Sequence, residues 1–312
     1  MLKFVDLLSG EIKLILLRKS GEFEMKTVLI ILGLVIAVTS LFAGDLDAYM
    51  LYNTSGEEID YNEMISALQD ADIVLFGEMH DNPIAHWLEL EVSKSLYEVV
   101  GEKLVLGAEM FEADNQLIMD EYLQGFIKTN HFEENVRLWN NYGTDYKPLV
   151  EFAVENNLNF VATNIPRRYA NMVARGGFES LEQLSDEAKM FIAPLPLSYF
   201  PEADCYKQMM GMTGMPGKMH AGNLPKAQAS KDATMAYFIS RNLKEDDLFL
   251  HFNGRYHSDN HESIILYLNE FAPQRKVMTI STSLNENMAI PEEDKGIADF
   301  IIVVPESMTR TY

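Results

Sequence analysis

"ADIVLFGEMHDNPIAHWLELEVSKSLYEVVGEKLVLGAEMF", residues 71–111, decides the fold. Residues 71–78 form a short apolar run and predict a strand. Asn82 and Pro83 then supply an N-cap and a first-turn proline, apolar residues recur at helical spacing, and Gly101 ends the pattern. A second apolar run, 103–111, follows at once. Strand, helix and strand within about 30 residues make one βαβ unit, which pairs its strands in parallel. Both strands are apolar at nearly every position, as in a sheet covered on both faces.

The same alternation continues. Helices are predicted at 115–127, 145–157, 181–192, 231–243 and 261–271, and strands at 158–166, 247–254, 276–282 and 298–304. The expected fold is α/β, a mostly parallel sheet with helices on both faces. Residues 112–145 and 167–230 interrupt the alternation and read as helical insertions or a cap over the C-terminal strand ends. No linker or short repeat divides residues 44–312, which read as a single domain.

Composition narrows the function. The chain of 312 residues is 47% hydrophobic and 23% charged, with a formal net charge of −22. It has no basic run, which argues against nucleic acid and against anionic lipid. A single cysteine, Cys205, excludes an internal disulfide and any CxxC motif. Neither dinucleotide-binding nor P-loop glycine patterns occur.

"MKTVLIILGLVIAVTSLFAGD" begins at Met25. One lysine, an uncharged apolar stretch and small residues near Ala43 and Gly44 have the layout of a secretory signal peptide over 25–43. The apolar stretch is short for a membrane span, and an uncleaved N-terminal anchor is the second reading. Residues 1–24 read as upstream sequence ahead of a start at Met25. The chain is therefore expected in the periplasm or secreted, and without a cysteine near the cleavage point it is not lipid-anchored.

Ligands of open parallel sheets bind beyond the carboxyl ends of the strands. The first strand delivers Glu78 and His80, two apart and so on one side. The second delivers Glu109. The third delivers Asn164 with Arg167 and Arg168 just after. The fourth delivers His251, Asn253, Arg255, Tyr256, His257 and His261. Singly these residues have plain explanations: Glu78 as a first-turn glutamate, Arg167 as a partner of Glu109, His86 as packing inside its helix. Together they form a pocket. Glu78, His80, Glu109 and His257 suit a divalent metal. The same carboxylates and histidines suit metal-free acid/base work, and arginine with histidine suits the carboxylates of a large ligand. "CYKQMMGMTGMPGKMH", residues 205–220, holds five methionines. It reads as a mobile apolar lid ahead of soft metal ligation.

The blocks "VLFGEMHDNPIAH", "LVLGAEMF", "ATNIPRR", "KAQASKDATMA" and "FNGRYHSDNH" resemble, in this order, the ChaN-like haem-binding uptake family of the Tiki superfamily. The likeness runs over about residues 60–270. The last block departs from the Gly-x-Gly-His of many relatives, and Gly44 stands near where lipoprotein relatives have cysteine. The resemblance implies an exported bacterial protein of iron or haem uptake, binding haem or a small ligand in a strand-end pocket, and allows a homodimer. It also implies tyrosine ligation of the iron, with Tyr146 or Tyr256 as candidates, among pocket residues His80, Arg167 and His257 and with Met215 in the lid. Distant relatives resemble metal-dependent peptidases or erythromycin-esterase-type hydrolases. In that reading Glu78 or Glu109 is the base, His80 and His257 are metal ligands or acids, and Arg167 meets an oxyanion.

Overall fold

The computed structural model describes residues 7–8, 11–12, 47–212 and 221–312. The chain divides into residues 1–46 and 47–312. In the first unit Leu7–Leu8 pairs antiparallel with Glu11–Ile12; the expected signal peptide, and with it the start at Met25, lies outside the described residues.

The second unit is built on a seven-stranded sheet. Its strands are β1 (Met50–Asn53), β2 (Ile73–Glu78), β3 (Leu104–Glu112), β4 (Asn159–Asn164), β5 (Leu248–Gly254), β6 (Val277–Leu284) and β7 (Phe300–Val304). The spatial order is β1-β7-β6-β2-β5-β3-β4. All neighbours are parallel except the edge pair β1 and β7. This is the expected mostly parallel α/β sheet. The short antiparallel edge strand β1, only four residues long, carries too little pattern to be read from the sequence.

The apolar runs split residue by residue between two cores, as a period of two requires. Val74 and Phe76 of β2, Leu250 and Phe252 of β5, and Leu106 and Ala108 of β3 enter one core. Ile73 and Leu75, Phe249 and Val105 enter the other. The first core is closed by α1 (Tyr61–Leu68), α2 (Pro83–Val100), α3 (Gln116–Leu123), α4 (Thr129–Asn135) and α5 (Lys147–Asn156), through residues such as Leu88, Val92, Met119, Phe132 and Leu149. The second is closed by α8 (Asp204–Met212), α9 (Leu224–Asn242) and α10 (Ile264–Phe271), through Tyr206, Ala233, Ile239 and Leu268. The remaining helices are α6 (Arg167–Gly176) and the single turn α7 (Asp186–Lys189). Tyr169 and Val173 of α6 form a smaller cluster with Ala227 of α9.

α2 begins and ends as expected. The Asn82 side chain accepts hydrogen bonds from the backbone of Ile84 and Ala85, Pro83 follows, and Gly101 closes the helix at a φ of 61°. Two expectations change. The helix predicted at 181–192 is a 3-10 segment followed by α7. The helix predicted at 231–243 starts seven residues earlier, at Leu224, because Pro225 in its first turn is a helix starter and not a breaker. Helices of both insertions enter the cores on the sheet faces, and Trp139, Arg167, Ala170 and Gln228 reach the strand ends.

Candidate functional site

Parallel register brings the strand ends together. Glu78 of β2 pairs in register with Gly254 of β5, and Gly107 of β3 with His251. β3 and β4 shift register between Ala108 and Glu112, where Glu109 falls. Beyond these ends lies a cleft of about 480 Å³, within the range of ordinary small-molecule pockets. His80, Glu109, Gly254, Tyr256 and His257 form its floor and one side. Trp139 comes from the first insertion, and Arg167, Ala170 and Gln228 from the second, joined by Lys231 of α9.

Two linked polar clusters stand at the floor. In the first, His80 Nδ1 donates to Glu78 Oε1 at 2.6 Å, and the Tyr146 hydroxyl donates to the same oxygen at 2.7 Å. The His80 ring stands edge-on to Trp139, with centroids 4.9 Å apart. It also crosses Gly254 so closely that a Cβ there would lie 2.7 Å from its Nε2. The absence of a side chain at Gly254 is what lets His80 approach Glu109.

In the second cluster, His257 Nε2 is 3.1 Å from Glu109 Oε1, while its Nδ1 contacts Asp232 of α9. The other Asp232 oxygen accepts from the Tyr206 hydroxyl at 2.7 Å. Glu109 Oε2 accepts from the Gly254 backbone N–H at 2.9 Å. Burial works against charge on His257, but the Glu109 and Asp232 carboxylates outweigh it and raise the imidazole to about 9. Burial likewise opposes charge on Glu109, and the His257 charge and hydrogen bond, with Lys231 and His80, hold its carboxyl well below the usual range. His80 is also raised: burial pulls it down, and the hydrogen bond to Glu78 and the Glu109 charge outweigh that.

Behind His80 lies a third, fully enclosed group. His86 Nδ1 is 3.1 Å from Glu89 Oε2 and 3.3 Å from Glu78 Oε2. Its Nε2 faces the His80 carbonyl oxygen at 3.1 Å and Asp145 at 3.4 Å. Asn141 joins these by donating to the His80 carbonyl and to Asp145.

The structure redistributes the expected site residues. Glu78 is 1% exposed and supports His80 from behind. Tyr146 is also 1% exposed, with its hydroxyl spent on Glu78, so it does not reach the cleft. Tyr256 is 77% exposed and lines it. Arg167 sits 3.7 Å from Glu112, not against Glu109, and Arg168 pairs with Asp114 at 2.5 Å. Arg255 turns away to Asp259 and Asp294. His251 is buried between Thr163 and Asn253, where burial pushes it down to about 4. Met215 lies outside the described residues. Among the described residues the donor atoms that converge tightly enough for an ion belong to Glu78, His86 and Glu89, and not to the expected set of Glu78, His80, Glu109 and His257.

Sequence reasoning missed Asp232, Gln228 and Lys231, although their block was singled out. Their spacing of three and four puts them on one face of α9. It also missed Glu89, three residues beyond His86 on α2.

A family model described as haem-binding uptake, Tiki superfamily, ChaN, matches residues 64–268. The chain belongs to the ChaN haem-binding uptake family. Among solved structures, the ChaN family member of Campylobacter jejuni, described as binding haem cofacially, is similar at 18% identity, with a TM-score of 0.62 over 82% of this chain and 96% of that one. An erythromycin esterase, EreC, in its open conformation matches at 11% identity with a TM-score of 0.46, over 83% of each chain. A Bacillus cereus protein matches at 11% identity with a TM-score of 0.44, over 81% of this chain and 93% of that one. No curated protein sequence matches the chain. The ChaN match agrees with the mostly parallel sheet.

Proposed function

We propose that the protein binds haem as cargo in the strand-end cleft and serves bacterial haem or iron uptake outside the cytoplasm, exported by the segment at 25–43. The observation that carries this reading is the pairing of an exposed phenol, Tyr256, with an apolar wall and two cations in one cleft. Trp139, Met110, Ile165 and Ala170 offer surface to a porphyrin. Arg167 and Lys231 suit its carboxylates. Tyrosine is an established type of haem-iron ligand, and Tyr256 is the tyrosine with its side chain in the cleft. His257 is a poor iron ligand, because both ring nitrogens face carboxylates.

In the hydrolase reading two carboxylates keep His257 protonated near neutral pH, which suits the role of acid there and not that of metal ligand. Titration of the purified protein with haemin tests the proposal. The expected result is a Soret band that saturates near stoichiometry, and a loss of about tenfold or more in affinity for Tyr256→Phe, as for a lost metal ligand. A spectrum unchanged from free haemin would sink it. A dimer closing the cleft against a second copy is part of this reading, and light scattering of the haem-loaded protein checks it.

A further inference from the structure

We propose that Glu78, His86 and Glu89 form a second site, separate from the cleft, that holds one divalent transition-metal ion. The donor atoms of the three residues lie within 4.8 Å of one another, and all three residues are buried. Two carboxylate oxygens there, Glu78 Oε2 and Glu89 Oε1, are buried without a hydrogen-bond partner. A buried acceptor without a donor is costly, and here two of them belong to acids facing one imidazole nitrogen.

The tautomer of His86 follows from its other side. Nε2 faces the His80 carbonyl oxygen at 3.1 Å, and a carbonyl can only accept, so Nε2 carries the hydrogen. Nδ1 faces Glu89 Oε2 and Glu78 Oε2, at 3.1 and 3.3 Å, across a gap that a second proton or a metal ion would bridge. A proton on Nδ1 leaves Glu78 Oε2 and Glu89 Oε1 without a hydrogen-bond partner, whereas an ion would engage Nδ1 and both carboxylates. Donors bound to one metal ion at about 2.0–2.2 Å stand roughly 2.9–3.5 Å apart, which is the spacing of Nδ1 from each of the two carboxylates. A metal-bound histidine ordinarily donates its outer N–H to a carbonyl or carboxylate, and His86 has both in the His80 carbonyl and Asp145. The two ligating carboxylates would neutralise a dication, with Asp145 facing the outer N–H of His86. Imidazole with carboxylates suits zinc, ferrous iron or manganese better than calcium.

The site connects to the cleft through one residue. Glu78 would give one oxygen to the ion and uses the other to hold His80 Nδ1 and the Tyr146 hydroxyl. An ion bound there would fix the orientation of His80 without touching the ligand in the cleft.

The test is elemental analysis of haem-free protein grown with zinc, manganese and ferrous iron and dialysed against EDTA. The expected content is about one metal ion per chain, because an enclosed ion taken up on folding leaves slowly. Glu89→Gln and His86→Gln should retain about 10-fold less metal or lower, while His257→Gln, altered in the cleft, should retain it. Should circular dichroism show the two variants misfolded, X-ray absorption of the wild-type metal decides, with oxygen ligands and a single imidazole expected. Wild-type protein that holds no metal even after refolding with zinc, or metal retained in folded Glu89→Gln, or sulfur or two imidazoles around the ion, would each overturn the site.

Discussion

His257 is gripped from both sides by carboxylates, and this gives stability a pH dependence that can be predicted. Its folded-state pKa is raised to about 9 from an unperturbed value of about 6.5. A raised histidine contributes fully below its unfolded value, and the contribution is lost as pH rises through the folded value. Wild-type protein should therefore lose roughly 2–3 kcal/mol between about pH 6.5 and 9, relative to His257→Gln across the same range. Urea unfolding at the two pH values measures it, and parallel curves for the two proteins would refute it. Gly254 makes a different kind of prediction. In Gly254→Ala the new Cβ would meet the half-buried His80 ring, which can swing outward. The expected cost in stability is about 1 kcal/mol, with a loss of haem affinity of roughly tenfold. Unchanged affinity would mean that His80 has no part in binding. At this scale the sequence disclosed the residue types and not their partners. His80, Glu109, Tyr256 and His257 were legible because each follows an apolar run. Asp232 and Glu89 were not, because a carboxylate on a helix looks the same whether it faces solvent or a buried imidazole.

Among the elements, β3, β5 and α9 supply much of the cleft lining, and α2 is the most legible helix. Its Asn82 cap is buried and accepts two backbone hydrogen bonds. Asn82→Ala should destabilise the protein by about 1 kcal/mol, read as a lower urea midpoint with an unchanged slope. A shift in the slope instead would mean that the helix frays independently of the sheet. Both ends of α2 were legible because Asn-Pro and Gly act through backbone chemistry that needs no tertiary partner. α9 was read too short because Pro225 and Asn223, polar punctuation in sequence, start a helix here. α6 lies in the stretch read only as a helical insertion, and its bounds were not legible because it packs on α9 instead of the main sheet.

For the whole molecule, two apolar cores on opposite faces of a parallel sheet leave the C-terminal strand ends as the place where polar side chains gather. That much follows from strand periodicity, and it explains why the cleft was legible before its walls were. The walls come from insertions whose length is visible in sequence but whose direction is set by packing on each face. The account's central claim is that haem occupies this cleft. A crystal structure of the haemin-loaded protein tests it most directly. The predicted result is a porphyrin against Trp139, its carboxylates toward Arg167 and Lys231, and its iron on the Tyr256 oxygen. A porphyrin bound elsewhere on the chain, or iron held by a residue outside the cleft, would contradict it.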